Sequence, residues 1–211
     1  MLGNQLAGVH AVKDITCLIA HPDDEVLFAW PVWSRIAHIV CITSDLGNTE
    51  RPAHQQNGER KECLKEVGIA LGCAVTCFDL HSEFYRLPTR NGALKRSMQG
   101  VIDVGLAGAE TVFAHNAHGE YGHLDHILTH HVARCCQAQS GCELLVSDIC
   151  IESNWLPMPI RGGELYQLPG EFIGNRRLDR ARFDELKAIY DKRGCWTWSQ
   201  EPVETCGVYR I

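Results

Sequence analysis

The segment His21–Glu25, of sequence HPDDE, gathers four ionisable side chains directly after the apolar run Ile15–Ala20. A short apolar run predicts a buried strand, and ligands of open parallel sheets bind beyond the carboxyl ends of strands. Two adjacent carboxylates beside an imidazole are costly to bury unless a cation neutralises them, which favours a divalent metal. The first turn of an ordinary helix would also favour acids at Asp23–Glu25. That alternative leaves His21 and the stiff turn at Pro22 unexplained, and the segment alone leaves both interpretations open.

A second cluster follows another apolar run, Thr111–Ala114. Within twelve residues it holds four histidines and two acids: His115, His118, His123, His126, Glu120 and Asp125. His123 and His126 are three residues apart, so at a helix start they share one face. Asp125 between them is suited to orient a ring nitrogen or a substrate group. A polar surface loop is the alternative, and it is favoured for His118, His130 and His131.

Together the clusters offer two histidines and one aspartate as N/O ligands, with one coordination position left open. This donor set is typical of catalytic Zn²⁺, whose three protein ligands leave room for an activated water, whereas structural zinc sites usually close four ligands that include Cys. No Glu follows His126, so the HExxH arrangement of metalloproteases is absent. Asp23, next to the expected ligand Asp24, is then free to act as a general base.

These residues resemble the LmbE-like (PIG-L) family of zinc-dependent N-acetylglucosaminyl de-N-acetylases. Ala20–Glu25 reads AHPDDE, which is the family's first signature, and Tyr121–His126 matches its second motif, YGHxDH. Arg60, eleven residues before Leu71-Gly72, matches the family's pattern of an Arg followed by Leu-Gly. The resemblance extends over about residues 15–150 of the chain.

The resemblance implies one Zn²⁺ per chain, with another divalent ion as the alternative, and three ligands: His21, Asp24 and His126. It implies four catalytic residues: Asp23, His123, Asp125 and Tyr121. Asp23 would activate the water, and His123 would stabilise the tetrahedral oxyanion or protonate the leaving amine. Asp125 would hold His123 or His126. Tyr121 would reach the developing oxyanion.

The substrate contacts form a separate set of expectations. By resemblance, Arg60 and Asp45 bind sugar hydroxyls, with a phosphate as the alternative for Arg60. Trp155, in a loop rich in Pro and Gly, is the tryptophan expected to stack on a sugar ring. The chain departs from the family at Cys63, where a Glu is usual, and in the loop Thr43–Asn48. Both departures concern the substrate contacts rather than the metal site.

Short apolar runs alternate with helical patterns along the chain. Strands are predicted at Ile15–Ala20, Ile36–Thr43, Val75–Leu80, Thr111–Ala114 and Glu143–Ile151. Helices are predicted at Glu25–Arg35, with a kink or early stop at Pro31, and at Glu59–Leu71, Leu94–Leu106, Leu124–Gln137 and Asp179–Lys192. Asn154–Gly174 predicts a long loop. The alternation predicts a single α/β domain over residues 1–211, with a Rossmann-like parallel sheet and helices on both faces.

The composition of the 211-residue chain limits its class. The formal charge is −6, from 20 basic and 26 acidic residues, whereas a nucleic-acid-binding surface normally needs a net basic face. Apolar runs stay shorter than the roughly 18 residues that span a bilayer, and the first residues lack a secretory signal pattern. We therefore expect a cytoplasmic protein without a membrane or nucleic-acid partner, and its 11 cysteines are expected to stay free thiols.

The sequence predicts a hydrolase that removes the acetyl group from an N-acetylglucosamine-type sugar or its conjugate, releasing acetate and a free amine. A metal-dependent amidase that acts on a related conjugate with another acyl group is one alternative. A non-catalytic sugar-binding protein is another, but such a protein would need neither Asp23 nor His123. The sequence leaves open the sugar, the pathway and the oligomeric state, including a homo-oligomer.

Overall fold

A computed structural model of the chain describes residues 12–44, 58–81, 92–151 and 170–211. The strands are β1 (Ile15–Ile19), β2 (Ile36–Thr43), β3 (Ala74–Leu80), β4 (Thr111–Ala114), β5 (Glu143–Ser147), β6 (Glu171–Arg177) and β7 (Thr205–Arg210). The helices are α1 (Asp24–Leu27), α2 (Glu59–Leu71), α3 (Ala93–Gly100), α4 (Gly119–Gly122), α5 (Leu124–Ser140) and α6 (Arg180–Asp191). A 3₁₀ helix covers Trp30–Arg35, and a π-helical turn covers Val101–Gly105.

The seven strands form one sheet in the order β3-β2-β1-β4-β5-β7-β6. The first five strands pair in parallel, whereas β7 is antiparallel to both β5 and β6. The predicted α/β class and its parallel strands are confirmed. The sequence pattern did not predict β6 and β7, because Gly207 interrupts the apolar run of β7 and three charged residues stand in β6.

Helices cover both faces of the sheet. Successive residues of a strand point to opposite sides, so neighbouring residues of β1 enter different cores. On one face Cys17 of β1 belongs to a core that includes Leu64 of α2 and Leu186 of α6. On the other face Leu18 belongs to a core that includes Val132 of α5. Within the described ranges, none of the helices has the length and apolar character needed to cross a membrane.

The strand order brings the two motif clusters together. From β1 the sheet continues through β2 and β3 in one direction, and from β4 it continues through β5 in the other. β1 and β4 are parallel neighbours, with Leu18 paired to Ala114, so their carboxyl ends lie side by side. Open α/β sheets bind ligands at such a point. His21 follows β1 after one residue and His115 follows β4 directly, as the sequence pattern predicts.

Two predicted helices are interrupted in the structure. The predicted helix Glu25–Arg35 is divided into α1, which ends at Leu27, and the 3₁₀ helix. Pro31 lies in the first turn of the 3₁₀ helix, where a backbone N–H has no partner within the helix, so the N–H that proline lacks is not needed there. The predicted helix Leu94–Leu106 consists of α3 and the π-helical turn that continues it.

The predicted strand Glu143–Ile151 is shorter than expected, because β5 ends at Ser147. The Asn116 side chain donates hydrogen bonds to the carbonyls of Ser147 (3.2 Å) and Ile149 (2.9 Å), so the chain leaves the strand geometry there. The predicted loop Asn154–Gly174 falls mostly outside the described residues, and β6 begins within its last four positions.

Candidate metal centre and active site

The segment His21–Glu25 is held in place by contacts with other elements. Asp23 adopts a φ of 100°, a left-handed conformation that residues with a side chain rarely occupy. Its N–H donates to Glu25 Oε2 (2.9 Å), and the Tyr190 hydroxyl of α6 donates to Glu25 Oε1 (2.6 Å). Arg60 of α2 contacts the segment from another side. Strained backbone of this kind persists at functional sites because surrounding contacts over-determine it.

Three predicted ligand atoms converge beyond the ends of β1 and β4. His21 Nδ1 lies 3.3 Å from Asp24 Oδ2 and 3.3 Å from His126 Nε2, and Asp24 Oδ2 lies 3.4 Å from His126 Nε2. All three residues are buried. A tetrahedral Zn²⁺ ion with bonds of about 2.0–2.1 Å holds neighbouring ligand atoms about 3.3–3.4 Å apart. The three atoms therefore have the mutual spacing that one such ion requires.

Hydrogen bonds on the far side of each imidazole direct a lone pair toward this point. His21 Nε2 donates to Asp125 Oδ2 (3.0 Å), and His126 Nδ1 donates to Glu120 Oε2 (2.8 Å), with both tautomers assigned from these partners. His21 Nδ1 and His126 Nε2 therefore face Asp24 as acceptors. Three buried acceptor atoms at this spacing repel one another unless a cation or a shared proton lies between them. Carboxylates behind both imidazoles are typical of divalent metal sites, so the residues fit a zinc ion.

His115 lies beside the ligand atoms but is engaged elsewhere. Its Nε2 is 3.2 Å from Asp24 Oδ2, so Asp24, His115 and His126 also form a close group. The backbone N–H of Ala20 donates to this same Nε2 (3.1 Å), which occupies its lone pair. His115 Nδ1 pairs with Glu120 Oε2 (2.9 Å). His115 thus supports Glu120, and its contacts do not favour a ligand role.

Glu120 is a functional residue to which the sequence pattern assigned no role. Its Oε2 accepts from Nδ1 of both His115 (2.9 Å) and His126 (2.8 Å), and its Oε1 accepts from the Asn116 N–H (3.0 Å). The residue is buried and has a φ of 56°. Burial opposes its charge, but contacts with His115 and His126 lower the pKa of Glu120 to about 2. The only sequence signal for this role was the position of an acidic residue within a segment that contains four histidines.

Asp125 was expected to hold His123 or His126, and the structure shows which of its groups contact which imidazole. The Asp125 carboxylate accepts from His21, and Glu120 accepts from His126. Asp125 meets His123 through its backbone, where its N–H donates to His123 Nδ1 (3.2 Å) and caps the start of α5. Adjacent residues on a helix do not face one another, so Asp125 reaches across to the β1 loop instead of toward His126.

Asp23 lies beside the ligand group and is held by two donors. Arg60 Nη2 is 2.8 Å from its Oδ1, and Thr197 Oγ1 donates to its Oδ2 at 2.6 Å. Burial raises the pKa of Asp23 above its usual range, and the contacts with Arg60 and Thr197 offset part of this effect. Asp23 is therefore a carboxylate next to the ligand atoms whose side chain is oriented by other residues.

Arg60, which was expected to contact substrate, is buried beside Asp23 in the structure. The residue is 1% exposed. Its guanidinium pairs with Asp23 and donates to the carbonyl of Pro22. A guanidinium buried in such contacts neutralises the carboxylate beside it, because an unpaired buried charge is costly. Arg60 therefore holds the segment His21–Glu25 in place.

His123 borders the ligand group as a neutral imidazole. Its ring centroid is 4.8 Å from that of His21 and 4.9 Å from that of His126. Because Nδ1 accepts the Asp125 N–H, the ring hydrogen is assigned to Nε2. Burial is the largest cause that lowers the pKa of His123, to about 3. His123 therefore offers an N–H donor rather than an acidic proton.

Tyr121 forms an aromatic wall beside these histidines. Its ring centroid lies 5.2 Å from that of His126, 6.4 Å from that of Phe28 and 5.0 Å from that of Trp198. Burial raises the pKa of Tyr121 well above its usual range, so the phenol stays protonated. The two remaining expected substrate contacts, Asp45 and Trp155, lie outside the described residues.

Several solved structures share the fold of this chain. N,N′-diacetylchitobiose deacetylase from Pyrococcus horikoshii is 16% identical, with a TM-score of 0.58 over 89% of this chain and 72% of that one. The A40926 pseudoaglycone deacetylase Dbv21 is 10% identical, with a TM-score of 0.60 over 94% and 96%. GalB, the 4-carboxy-2-hydroxymuconate hydratase from Pseudomonas putida KT2440, is 14% identical, with a TM-score of 0.53 over 94% and 96%. Since one of them is a hydratase, the fold alone does not define the reaction.

The sequence comparisons are more specific. A search of curated proteins found no match. The family model described as GlcNAc-PI de-N-acetylase, PIG-L, matches residues 16–136, which is more than half of the chain and includes both motif clusters. The chain therefore belongs to the GlcNAc-PI de-N-acetylase (PIG-L) family.

Proposed function

We propose that this protein is a zinc-dependent N-deacetylase that hydrolyses the N-acetyl amide of an N-acetylglucosamine-type sugar or its conjugate. The observation that carries the proposal is the convergence of His21 Nδ1, Asp24 Oδ2 and His126 Nε2 at 3.3–3.4 Å beside a separate carboxylate, Asp23. A binding site for metal alone would not need that extra carboxylate. Hydrolysis does need it, because the attacking water must lose a proton.

His21, Asp24 and His126 would hold the ion. A zinc ion bound there would lower the pKa of a bound water toward about 7 and polarise the amide carbonyl. Asp125 and Glu120 fix the two imidazoles in the tautomers that the ion requires.

Asp23 would accept the proton of the attacking water as the C–O bond forms. Arg60 and Thr197 hold its carboxylate while it does so. The amine is a poor leaving group until it is protonated, so the proton taken up by Asp23 is the one available to it when the C–N bond breaks. Acetate and a free amine are the products, and one water is consumed.

Of the two expected roles of His123, stabilisation of the oxyanion is favoured. A neutral ring with hydrogen on Nε2 donates a hydrogen bond to the developing negative charge. A pKa of about 3 leaves very little imidazolium to protonate an amine at neutral pH, and a nearby cation lowers that fraction further. Tyr121, whose ring contacts that of His123, is proposed as a second group that reaches the developing oxyanion.

The family's description supports an amino-sugar substrate, and a deacetylase of diacetylchitobiose has the same fold. Asp45 and Trp155 remain predictions as sugar contacts. A metal-dependent amidase with another acyl preference would use the same groups. A non-catalytic sugar-binding protein is disfavoured because it would have no use for Asp23 or His123.

The experiment is a screen of N-acetylated sugars and conjugates with the zinc-loaded protein, in which acetate and free amine are measured together. We expect equal release of both from at least one substrate, and no release from the His126→Ala variant. Release of only a longer acyl group from matched N-acyl analogues would establish the amidase alternative. Sugar binding without any acyl release would contradict the proposal and support the binding protein.

A further inference from the structure

The segment 195–198, which follows α6, brings Thr197 into contact with Asp23. It lies outside residues 16–136, the region that the family model matches. The Thr197 hydroxyl donates to Asp23 Oδ2 at 2.6 Å. Thr197 itself is exposed, whereas Asp23 is 1% exposed, so one surface hydroxyl reaches a buried carboxylate.

Two tryptophans anchor this segment on either side of Thr197. Trp196 packs edge-on against Phe183 at 5.9 Å between ring centroids, and the Lys187 ammonium lies 5.3 Å from its ring centroid. Trp198 packs edge-on against Tyr121 at 5.0 Å. Aromatic contacts at these distances stabilise packing without the Thr197 hydroxyl. The hydroxyl is therefore placed by its neighbours and is not what holds the segment in position.

We propose that Thr197 is a positioning residue that fixes the orientation of the Asp23 carboxylate for proton transfer. This inference rests on the proposed deacetylase function. The terminal torsion of an Asp side chain has a broad energy minimum, so a single donor leaves the carboxylate free to rotate. Arg60 holds Oδ1 and Thr197 holds Oδ2, and two donors on different oxygens define the plane of the group.

Loss of the Thr197 hydroxyl should therefore affect the chemical step rather than binding. A carboxylate that rotates away from the attacking water spends less time in the reactive geometry, which lowers kcat. Substrate binding and metal binding use other groups, so KM and zinc content should stay near their wild-type values. A residue with only a structural role would instead change stability, or change KM and kcat together.

The test compares Thr197→Val, which keeps the shape and removes the hydroxyl, with Thr197→Ser, which keeps the hydroxyl. Thr205→Val, at an exposed threonine in β7, is the matched control. With the best substrate from the screen, we expect Thr197→Val to lower kcat by about tenfold or more, since hydrogen bonds to charged groups are among the stronger ones. Thr197→Ser and Thr205→Val should stay close to wild type in kcat, KM and zinc content. Thr197→Ala provides the same test with a smaller side chain.

A double-mutant comparison identifies the residue through which Thr197 acts. In the Asp23→Asn background, Thr197→Val should cost little further kcat, because the proton acceptor that it positions has already been removed. An equal loss of kcat in both backgrounds, or wild-type kcat in Thr197→Val, would overturn the inference while leaving the deacetylase function intact. A wild-type protein that releases no acyl group would overturn the proposed function and this inference together.

Discussion

At the scale of single residues, the site is a buried cluster of acids and imidazoles in which Arg60 pairs with Asp23 and Asp24 faces the imidazoles of His21 and His126. Five acidic residues near the two motifs are each at most 1% exposed: Asp23, Asp24, Glu25, Glu120 and Asp125. The resemblance to the family implied the three residues whose side-chain atoms converge, whereas the residue pattern alone offered two histidines and one aspartate at the ends of neighbouring strands. Neither predicted which carboxylate lies behind which imidazole, because that pairing depends on ring orientation and on the unusual backbone of Glu120.

Glu120→Gln tests the orienting role of this residue. Glutamine keeps the shape but is neutral, and its amide NH2 must replace either the oxygen that both imidazoles share or the oxygen that accepts from the Asn116 N–H. We expect zinc affinity to fall by about 10–100-fold, as for other carboxylates behind metal-binding histidines. Competition with a chromogenic chelator measures it.

Glu62→Gln is the control for this change, because Glu62 is exposed and pairs with Lys65 on α2. It should bind zinc as the wild type does. Unchanged zinc affinity in Glu120→Gln would remove Glu120 from the metal site.

At the scale of elements, the five parallel strands and most helices were predictable because continuous apolar runs and 3.6-residue patterns mark buried elements. α2 was predicted with its observed bounds, Glu59–Leu71. β6 and β7 were not predictable, since their pairing is set by contact with β5 and each strand lacks a continuous apolar run. The contacts of Arg60 were also not predictable, because an arginine can either bind a substrate or form an ion pair with a buried aspartate.

Replacing two helical glycines by alanine should change the free energy of unfolding in opposite directions. A Cβ at Gly68 of α2 would collide with Val75 of β3, whereas a Cβ at Gly100 of α3 would meet no atom within 4 Å. Gly100 has a helical φ of −60°, so Gly100→Ala should stabilise the fold by about 0.5–1 kcal/mol. In Gly68→Ala, overpacking of about 1–3 kcal/mol should exceed that gain.

Urea unfolding of both variants measures these free energies. A stabilised Gly68→Ala protein would mean that α2 and β3 pack less closely than the structure indicates.

At the scale of the whole molecule, the core contains free cysteines rather than disulfide bonds. All 11 cysteines are free in the structure, and seven of them are buried. In denaturant and without reductant, a thiol reagent should therefore titrate 11 thiols per chain. A lower count that rises to 11 after reduction would establish a disulfide in the native protein.

Zinc should stabilise the whole fold, because the converging ligand atoms exist only in the folded chain. At a free zinc concentration 100 times the dissociation constant, the free energy of unfolding should rise by about 2.7 kcal/mol, less any binding of zinc to the unfolded chain. Thermal unfolding with and without zinc measures the gain, and His126→Ala should lose most of it. An equal gain in His126→Ala would place the ion elsewhere.

A paired measurement of zinc content and turnover in Asp23→Asn and Asp24→Asn separates the proposed base from the proposed metal ligand. Asp23→Asn keeps an amide oxygen for Arg60 but cannot accept the proton. We expect this variant to retain about one zinc ion per chain while its turnover falls by a factor on the order of 10² or more. Asp24→Asn should lose zinc, because a neutral amide is a weaker ligand than a carboxylate. Normal turnover in Asp23→Asn together with full zinc content in Asp24→Asn would contradict both assignments.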